Sequence, residues 1–493
     1  MRRTAETRFA FTAAAVSALG LFVTPAQAAP EASALGPAAV LAQPAGGFVG
    51  KLTLEPPRGP AGTRIIASAE GLPPNQEIEF AWRTMRGTWK TENGEYHGRD
   101  YKPVAYRIDK LRSDSEGRVT ASFTAPEDFG FAHDVVVQQG DRLLTQAAFS
   151  VDMQVKLSPE SGPIGTPIEV EIHGIGWREL ESSWLLRYDN DFTGWVSSIT
   201  QAGIAKFLIP ATGALGMHVL ELMHGEFTFP YLNPQQNPVP DRPRFAMQFR
   251  ITSGDAVLPP PPQDQVQRAV RNLPPQGALI ATPRFSAIGE IAQVRGTGFT
   301  PGKNYQLNWT TVTGNRVAKN GWDESSRVIA QARADATGDL AFRFTVPDDL
   351  GGAHRLWVQD GATEKTGSYW ITPKALPLDV TRGPVGTDFT IHLKGVGWTE
   401  TANIYTVVYD GAYIGYACGF NSQGDVTIHL KASGLPGWHF IDLYPAIYKG
   451  KEKRPDNFRI PQLTYAADHP GEDLPAFHYT FEVTRDEQRA SVR

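Results

Sequence analysis

A single cysteine, Cys418, in 493 residues excludes an intramolecular disulfide framework and every zinc or iron–sulfur site built from several cysteines. An excess of charge of one sign is missing as well: 47 Lys and Arg stand against 52 Asp and Glu, a formal net charge of −5. That balance leaves no electrostatic footprint for nucleic acid. Gly-x-Ser-x-Gly, His-Glu-x-x-His and Gly-x-x-x-x-Gly-Lys do not occur, so the linear signatures of serine hydrolases, zinc proteases and phosphate loops are absent. Paired-carboxylate glycosidase chemistry has no linear motif. An enzyme, or an enzyme accessory subunit acting on an extracellular polymer, therefore stays open as an alternative to a non-catalytic protein. Beyond residues 9–23 there is no second long apolar run, and membrane insertion is not expected.

The first residues read as an address. Arg2, Arg3 and Arg8 make a basic start, residues 9–23 are apolar, and Ala26-Gln27-Ala28 is small at both ends, as a signal peptidase site requires. Residues 1–28 are expected to be a signal peptide cleaved after Ala28, which implies an exported protein, periplasmic or secreted to the cell surface. Residues 29–50, rich in Ala, Pro and Gly, are expected to be a flexible leader.

What the chain has in quantity is turns: 48 Gly and 38 Pro. They recur in register. Gly162-Pro163-Ile164-Gly165-Thr166 precedes Gly174-Ile175-Gly176-Trp177 by twelve residues, and Gly383-Pro384-Val385-Gly386-Thr387 precedes Gly395-Val396-Gly397-Trp398 by the same interval. A second pair of units opens at Gly59-Pro60-Ala61-Gly62-Thr63 and, in degraded form, at Ser286-Ala287-Ile288-Gly289-Glu290. All four units carry a histidine at the start of a late strand: His133, His218, His354 and His439. From opening to histidine the distances are 74, 56, 68 and 56 residues. Long, short, long, short is the pattern of a duplicated two-domain block.

Each unit reads as strands. Ile168-Glu169-Val170-Glu171-Ile172 and Leu340-Ala341-Phe342-Arg343-Phe344 alternate with period two. Gly and Pro clusters separate such stretches at the spacing of an all-β sandwich. In Gly-Pro-x-Gly-Thr the proline presets φ and the second glycine can take φ > 0. Trp82, Tyr188, Trp309 and Tyr409 fall in one column, where a large ring can fill the centre of a two-sheet sandwich. The expected fold is therefore all-β: four tandem immunoglobulin-like β-sandwich domains arranged as a duplicated two-domain block. The boundaries are 51–153 (long type), 154–253 (short type), a Pro-rich linker at 254–276, 277–373 (long type) and 374–485 (short type), with a tail at 486–493. Residues 263–272 of the linker could form a short helix.

The sequence of Gly-Pro-x-Gly-Thr, an alternating strand, then Gly-x-Gly-Trp or Gly-x-Gly-Phe resembles the bacterial immunoglobulin-like tandem repeats of the IPT/TIG type. The first unit departs from it, with Glu70-Gly71-Leu72 at the second motif, and the third lacks the opening proline. The resemblance implies a non-catalytic role in adhesion, carbohydrate binding or spacing, and it brings no functional residues with it.

One histidine per separate domain makes no ligand set, so the four histidines are expected to be structural. Asp189-Asn190-Asp191 looks like a fragment of a calcium loop, but Asp410-Gly411-Ala412 in the fourth unit has lost two of the three oxygens. No metal, cofactor or catalytic residue is expected. Candidate binding residues come from two kinds of hairpin. The long units' insertion brings together Trp89, Tyr96, His97, Tyr101 and Tyr106 with Arg83, Arg86, Lys90, Arg99 and Lys102. The short units offer Trp195, Tyr413 and Tyr416. Rings interleaved with basic groups suit a polysaccharide or an envelope or extracellular protein. The same rings could instead pack against their own sheet or the next domain. Trp89, Tyr96, Tyr101, Trp195, Tyr413 and Tyr416 are the candidates. Trp177 and Trp398, behind tight corners, are expected to be core plugs. The remaining reading is a purely structural spacer.

Overall fold

The computed structural model describes residues 36–226, 229–236, 242–314, 321–448 and 459–485; the segments expected to be a signal peptide and a tail lie outside them. Eight sheets, each of three, five or six strands, pair into four β-sandwiches. In domain 2 the small sheet holds Gln154–Ser158, Pro167–His173 and Ala205–Pro210. Its large sheet runs in the order Ser161–Gly162, Phe245–Ile251, Gly216–Glu226, Trp184–Tyr188, Asp191–Val196. Alternation decides which face is inside: Ile168, Val170 and Ile172 are fully buried against Leu186, Leu220 and Phe249 of the facing sheet.

The first strand of a domain changes sheets just before the Gly-Pro-x-Gly-Thr turn, which then leads into the next strand of the small sheet. The first part of the first strand pairs antiparallel in the small sheet and its second part runs parallel to the last strand of the large one, as Gly59↔Val151, Gly162↔Ile251 and Gly383↔Val483. The second glycine has φ of +87°, +81° and +93° at Gly62, Gly165 and Gly386, a conformation that disfavours any Cβ. The threonine closes the turn: Thr63, Thr166 and Thr387 each donate from Oγ1 to the proline carbonyl at 2.7 Å.

The aromatic column lies where the duplication puts it, anchored differently in the two types. In the long domains Trp82 and Trp309 donate from Nε1 to Asp128 and Asp349 at 2.8 and 3.0 Å. In the short domains Tyr188 and Tyr409 donate their hydroxyls to the carbonyls of Thr212 and Ser433 at 2.9 and 3.0 Å.

The leader is docked from Gly36 on. Gly36–Ala38 pairs antiparallel with the long strand Glu95–Arg112, and Ala38 and Leu41 cover Ala81, Val136 and Leu143. Composition suggested flexibility, but the otherwise open edge of Glu95–Arg112 supplies backbone partners and the outer face of the sheet supplies apolar ones. Of the helix expected in the linker, a 3-10 turn at Pro262–Asp264 is present. The linker lies on domain 4, where Gln265 brackets His478 and Arg271 binds Asp473.

The domains are packed on one another. Long meets short twice in the same way: Gly130 N donates to Ile175 O and Gly351 N to Val396 O, both at 3.1 Å. A Cβ on Gly130 would sit 1.7 Å from the Gly174 carbonyl, and one on Gly351 1.9 Å from that of Gly395. Domains 2 and 4 then share an interior, since Val408, Tyr444 and Leu463 belong to the core that surrounds Trp184 and Leu186.

Candidate functional site

The aromatic hairpin of domain 1, strands Glu77–Glu92 and Glu95–Arg112, reaches past its own sandwich to domains 2 and 4. At its tip Gly94 lies against Thr399, and its carbonyl accepts from Glu400 N at 2.7 Å. Tyr96 N donates to Glu400 Oε2 at 3.0 Å, and the Tyr96 ring is 2% exposed. Trp89 stands edge-on to Trp195, ring centroids 6.1 Å apart, in a cluster with Leu185 and Ile460.

Asp468, fully buried, ties three domains together. It accepts Trp89 Nε1 from domain 1 at 2.9 Å, and Ile199 N, Thr200 N and Thr200 Oγ1 from domain 2 at 2.7, 3.0 and 2.8 Å. A buried carboxylate needs this many donors to offset desolvation. The same stretch of domain 4 extends domain 2's sheet: Trp195 N donates to Pro461 O at 2.7 Å and Leu463 N to Trp195 O at 2.9 Å. The outer edge of Asp191–Val196, a template for unwanted pairing, is thereby covered.

The candidate rings thus fall into two groups. Tyr96 and Trp195 are interior, Trp89 packs on Trp195, and Tyr101 meets Phe129 edge-on at 5.9 Å beside the junction of domains 1 and 2. For these four the packing alternative describes the contacts seen: Tyr96 and Trp195 are buried, which removes them as ligand platforms, and Trp89 and Tyr101 are half-buried against neighbouring domains. Of the interleaved basic residues, Arg99 donates to Ser182 at 2.8 Å and Lys90 pairs with Asp100 at 3.3 Å. Trp177 plugs a junction instead of a core: it stands 4.9 Å from His133 and 5.9 Å from Phe129 of domain 1, under the Arg178 guanidinium. Trp398 meets Trp322 of domain 3 at 5.8 Å.

Tyr413 and Tyr416 make the second group, on the edge strand Ala412–Cys418. The Tyr413 hydroxyl donates to the Arg459 carbonyl, and burial pushes its pKa up to about 12. Tyr416 is 43% exposed, with the Arg459 guanidinium 5.4 Å from its ring and 5.1 Å from that of Tyr448. Ile414 is 51% exposed on the same strand. Through Phe192, which contacts both Tyr413 and Phe229, the surface continues to exposed Phe229 of domain 2. Among the described residues no strand pairs the outer edge of Ala412–Cys418. Sequence reasoning missed Arg459, Phe192, Glu400 and Asp468: Glu400 and Asp468 bond residues of other domains, Phe192 meets Tyr413 of domain 4, and Arg459 reaches Tyr413 and Tyr416 only through the fold of its own domain.

The repeated histidines are engaged in their own folds. His133 and His354 hydrogen-bond backbone carbonyls through both ring nitrogens and stack on Trp82 and Trp309. His218 and His439 pair with Asp189 and Asp410, whose second oxygens accept from Val219 N and Phe440 N. Asp189 is thus committed to its own strand end. Burial opposes charge on His439, and the Asp410 hydrogen bond and charge outweigh it, raising the pKa. Among the described residues no cluster of three His, Cys, Asp or Glu side chains is arranged to hold a metal ion, and no helix is long and apolar enough to cross a membrane.

The sheets define a tandem immunoglobulin-like β-sandwich protein. No family model matches the chain, and no curated protein matches it. Among solved structures it is similar to the Y1175G mutant of Salmonella alpha-2-macroglobulin at 10% identity, over 89% of this chain and 31% of that one, with a TM-score of 0.18. It is also similar to the ICAM-5 D1–D4 ectodomain fragment, at 11% identity over 83% and 99% of the two chains, TM-score 0.16. The N-terminal four Ig domains of Dscam1 isoform 7.44 give 11% identity over 89% and 98%, TM-score 0.16. The chain spans about a third of the macroglobulin's length. At such scores these likenesses carry no conclusion about domain arrangement or function.

Proposed function

We propose that this chain is an exported, non-catalytic binding or scaffolding protein of the cell envelope or extracellular space, built from IPT/TIG-type repeats. Its partner, on this reading, is an envelope or extracellular protein that docks on the aromatic edge of domain 4. The observation that supports this most is the contrast between the two groups of rings. Trp89, Tyr96 and Trp195 are consumed in joining the domains, whereas Tyr416 and Ile414 stay on the surface beside an edge that, among the described residues, no strand pairs. Exposed apolar side chains next to an edge that no described strand pairs suit addition of a strand from a partner. The Arg459 guanidinium near the rings of Tyr416 and Tyr448 also offers the flat, basic surface that a polysaccharide would use.

The test is crosslinking of the mature protein to its native envelope through a photoreactive group at position 416, with captured material analysed for peptide and glycan. Capture of one defined protein, lost on Ile414→Asp, is expected. Capture of glycan alone would reassign the surface to carbohydrate. No specific capture of either kind would sink the binding reading.

A further inference from the structure

The four opening turns are built alike, yet among the described residues only one is covered. A side-chain carbon placed on Gly62, Gly289 or Gly386 meets nothing within 4 Å. On Gly165 it would lie 2.5 Å from the Phe440 ring and 2.1 Å from the Val257 carbonyl. Domain 2 thus sets its opening turn against one place on domain 4, the start of strand Gly437–Ala446, where Phe440 is 2% exposed.

That place has a counterpart on domain 2. Val219 N donates to Asp189 as Phe440 N donates to Asp410, both at 2.9 Å, and the carbonyls of Val219 and Phe440 accept from the same two aspartates' N–H groups at 2.9 Å. Val219 is therefore the equivalent of Phe440, and Met217 of Trp438. On domain 2 this strip is open: Leu215, Met217 and Val219 are 69%, 46% and 42% exposed. The other half of the contact is open on domain 4. Val385, beside Gly386, is the equivalent of Ile164 beside Gly165, and it is 62% exposed. Among the described residues one turn-on-strand contact is in use and both halves of a second one are unused. Domains 2 and 4 are locked by their shared interior, so the unused halves cannot meet within one chain.

We propose that the protein self-associates head to tail, the Pro384-Val385-Gly386 turn of one copy docking on the Leu215, Met217 and Val219 strip of the next. The occupant is a second copy because the fitting piece, in the geometry already used between domains 2 and 4, is present on the same chain. The contact joins two different surfaces, so it extends into open chains unless its rotation closes a ring. Met217 and Val219 replace the larger Trp438 and Phe440, and the association is accordingly weaker than the internal contact and depends on concentration.

Sedimentation of the mature protein, from micromolar to near-millimolar concentration, tests this with two variants at exposed positions, Val219→Asp and Val385→Asp. The wild type is expected to form a series of oligomers. Each variant alone is expected to stay monomeric with an unchanged melting temperature. Mixed together they are expected to form a one-to-one dimer and stop, because each keeps the half that the other has lost. A wild type monomeric throughout would overturn the proposal. So would oligomers that survive either substitution, or loss of association that mixing fails to restore.

Discussion

Domains 1 and 2 meet as domains 3 and 4 do, but one polar residue changes the chemistry of the junction. In both pairs a buried aspartate in the long domain holds the column tryptophan, a threonine hydroxyl and the next backbone N–H: Asp128 with Trp82, Thr84 and Phe129, and Asp349 with Trp309, Thr311 and Leu350. Domain 4 then reaches in with Gln423, whose amide donates to Asp349 at 2.8 Å, and Arg327 stands 3.6 Å away. The matching left-handed residue of domain 2 is Ala202, which has nothing to donate. Burial leaves Asp128 with a raised pKa; at Asp349 burial pushes the same way, but Gln423, His354 and Thr311 reverse it. The second junction is held by polar complementarity. The first relies on the hairpin clamp, in which Asp468 gathers donors from domains 1 and 2.

Removing the clamp should have the largest effect. Asp468→Ala removes the shared acceptor of four donors, the buried Ile199 N among them, and is expected to destabilise the packing of domains 1, 2 and 4 by about 2–3 kcal/mol. Calorimetry should show domain 2 melting earlier while domain 3 is unmoved. An unchanged first transition would mean that the hairpin is not held as described. Next come Gly130→Ala and Gly351→Ala, each forcing a methyl onto a carbonyl at a cost of roughly 1–3 kcal/mol. Similar losses in the two pairs would show that the junctions share their backbone geometry; a tolerant Gly351→Ala beside a damaging Gly130→Ala would show that they do not.

Smallest and most discriminating is Gln423→Ala, worth about 1 kcal/mol at neutral pH. Its signature is the pH dependence. A carboxylate with a lowered folded pKa contributes stability above its ordinary value of 3.8, and that stability is lost as pH falls through the lowered value. One with a raised folded pKa does the reverse, so domain 1 loses stability as pH rises from 3.8 through the raised value of Asp128. The domains should therefore show acid slopes of opposite sign, and Gln423→Ala should bring domain 3 towards the behaviour of domain 1. Parallel slopes in the wild type would contradict the difference between the junctions.

The fold was legible because its determinants are local. The Gly-Pro-x-Gly-Thr turn, the period-two strands and the aromatic column act within single domains, and identical spacing in two units revealed the duplication. Which rings face a partner was not legible. Trp89 and Trp195 read like binding residues because an interface core and a ligand platform use the same side chains. What distinguishes them is Asp468, an unremarkable acid between strands Gly437–Ala446 and Phe477–Thr484, nearly 380 residues from Trp89. The docking of the leader was hidden for the same reason, since its partners are an edge and a face made elsewhere.

Hydrogen exchange at the backbone amides of Tyr96, Trp195 and Leu463 tests the central claim, that the hairpin of domain 1 and residues 461–468 of domain 4 lock these domains into one body. These amides donate to Glu400, Pro461 and Trp195 across domain boundaries. The account predicts that all three are protected and that they open together. Exchange of all three at the rate of an open loop, while the amide of Leu186 in the core of domain 2 stays protected, would show independent domains on a flexible chain.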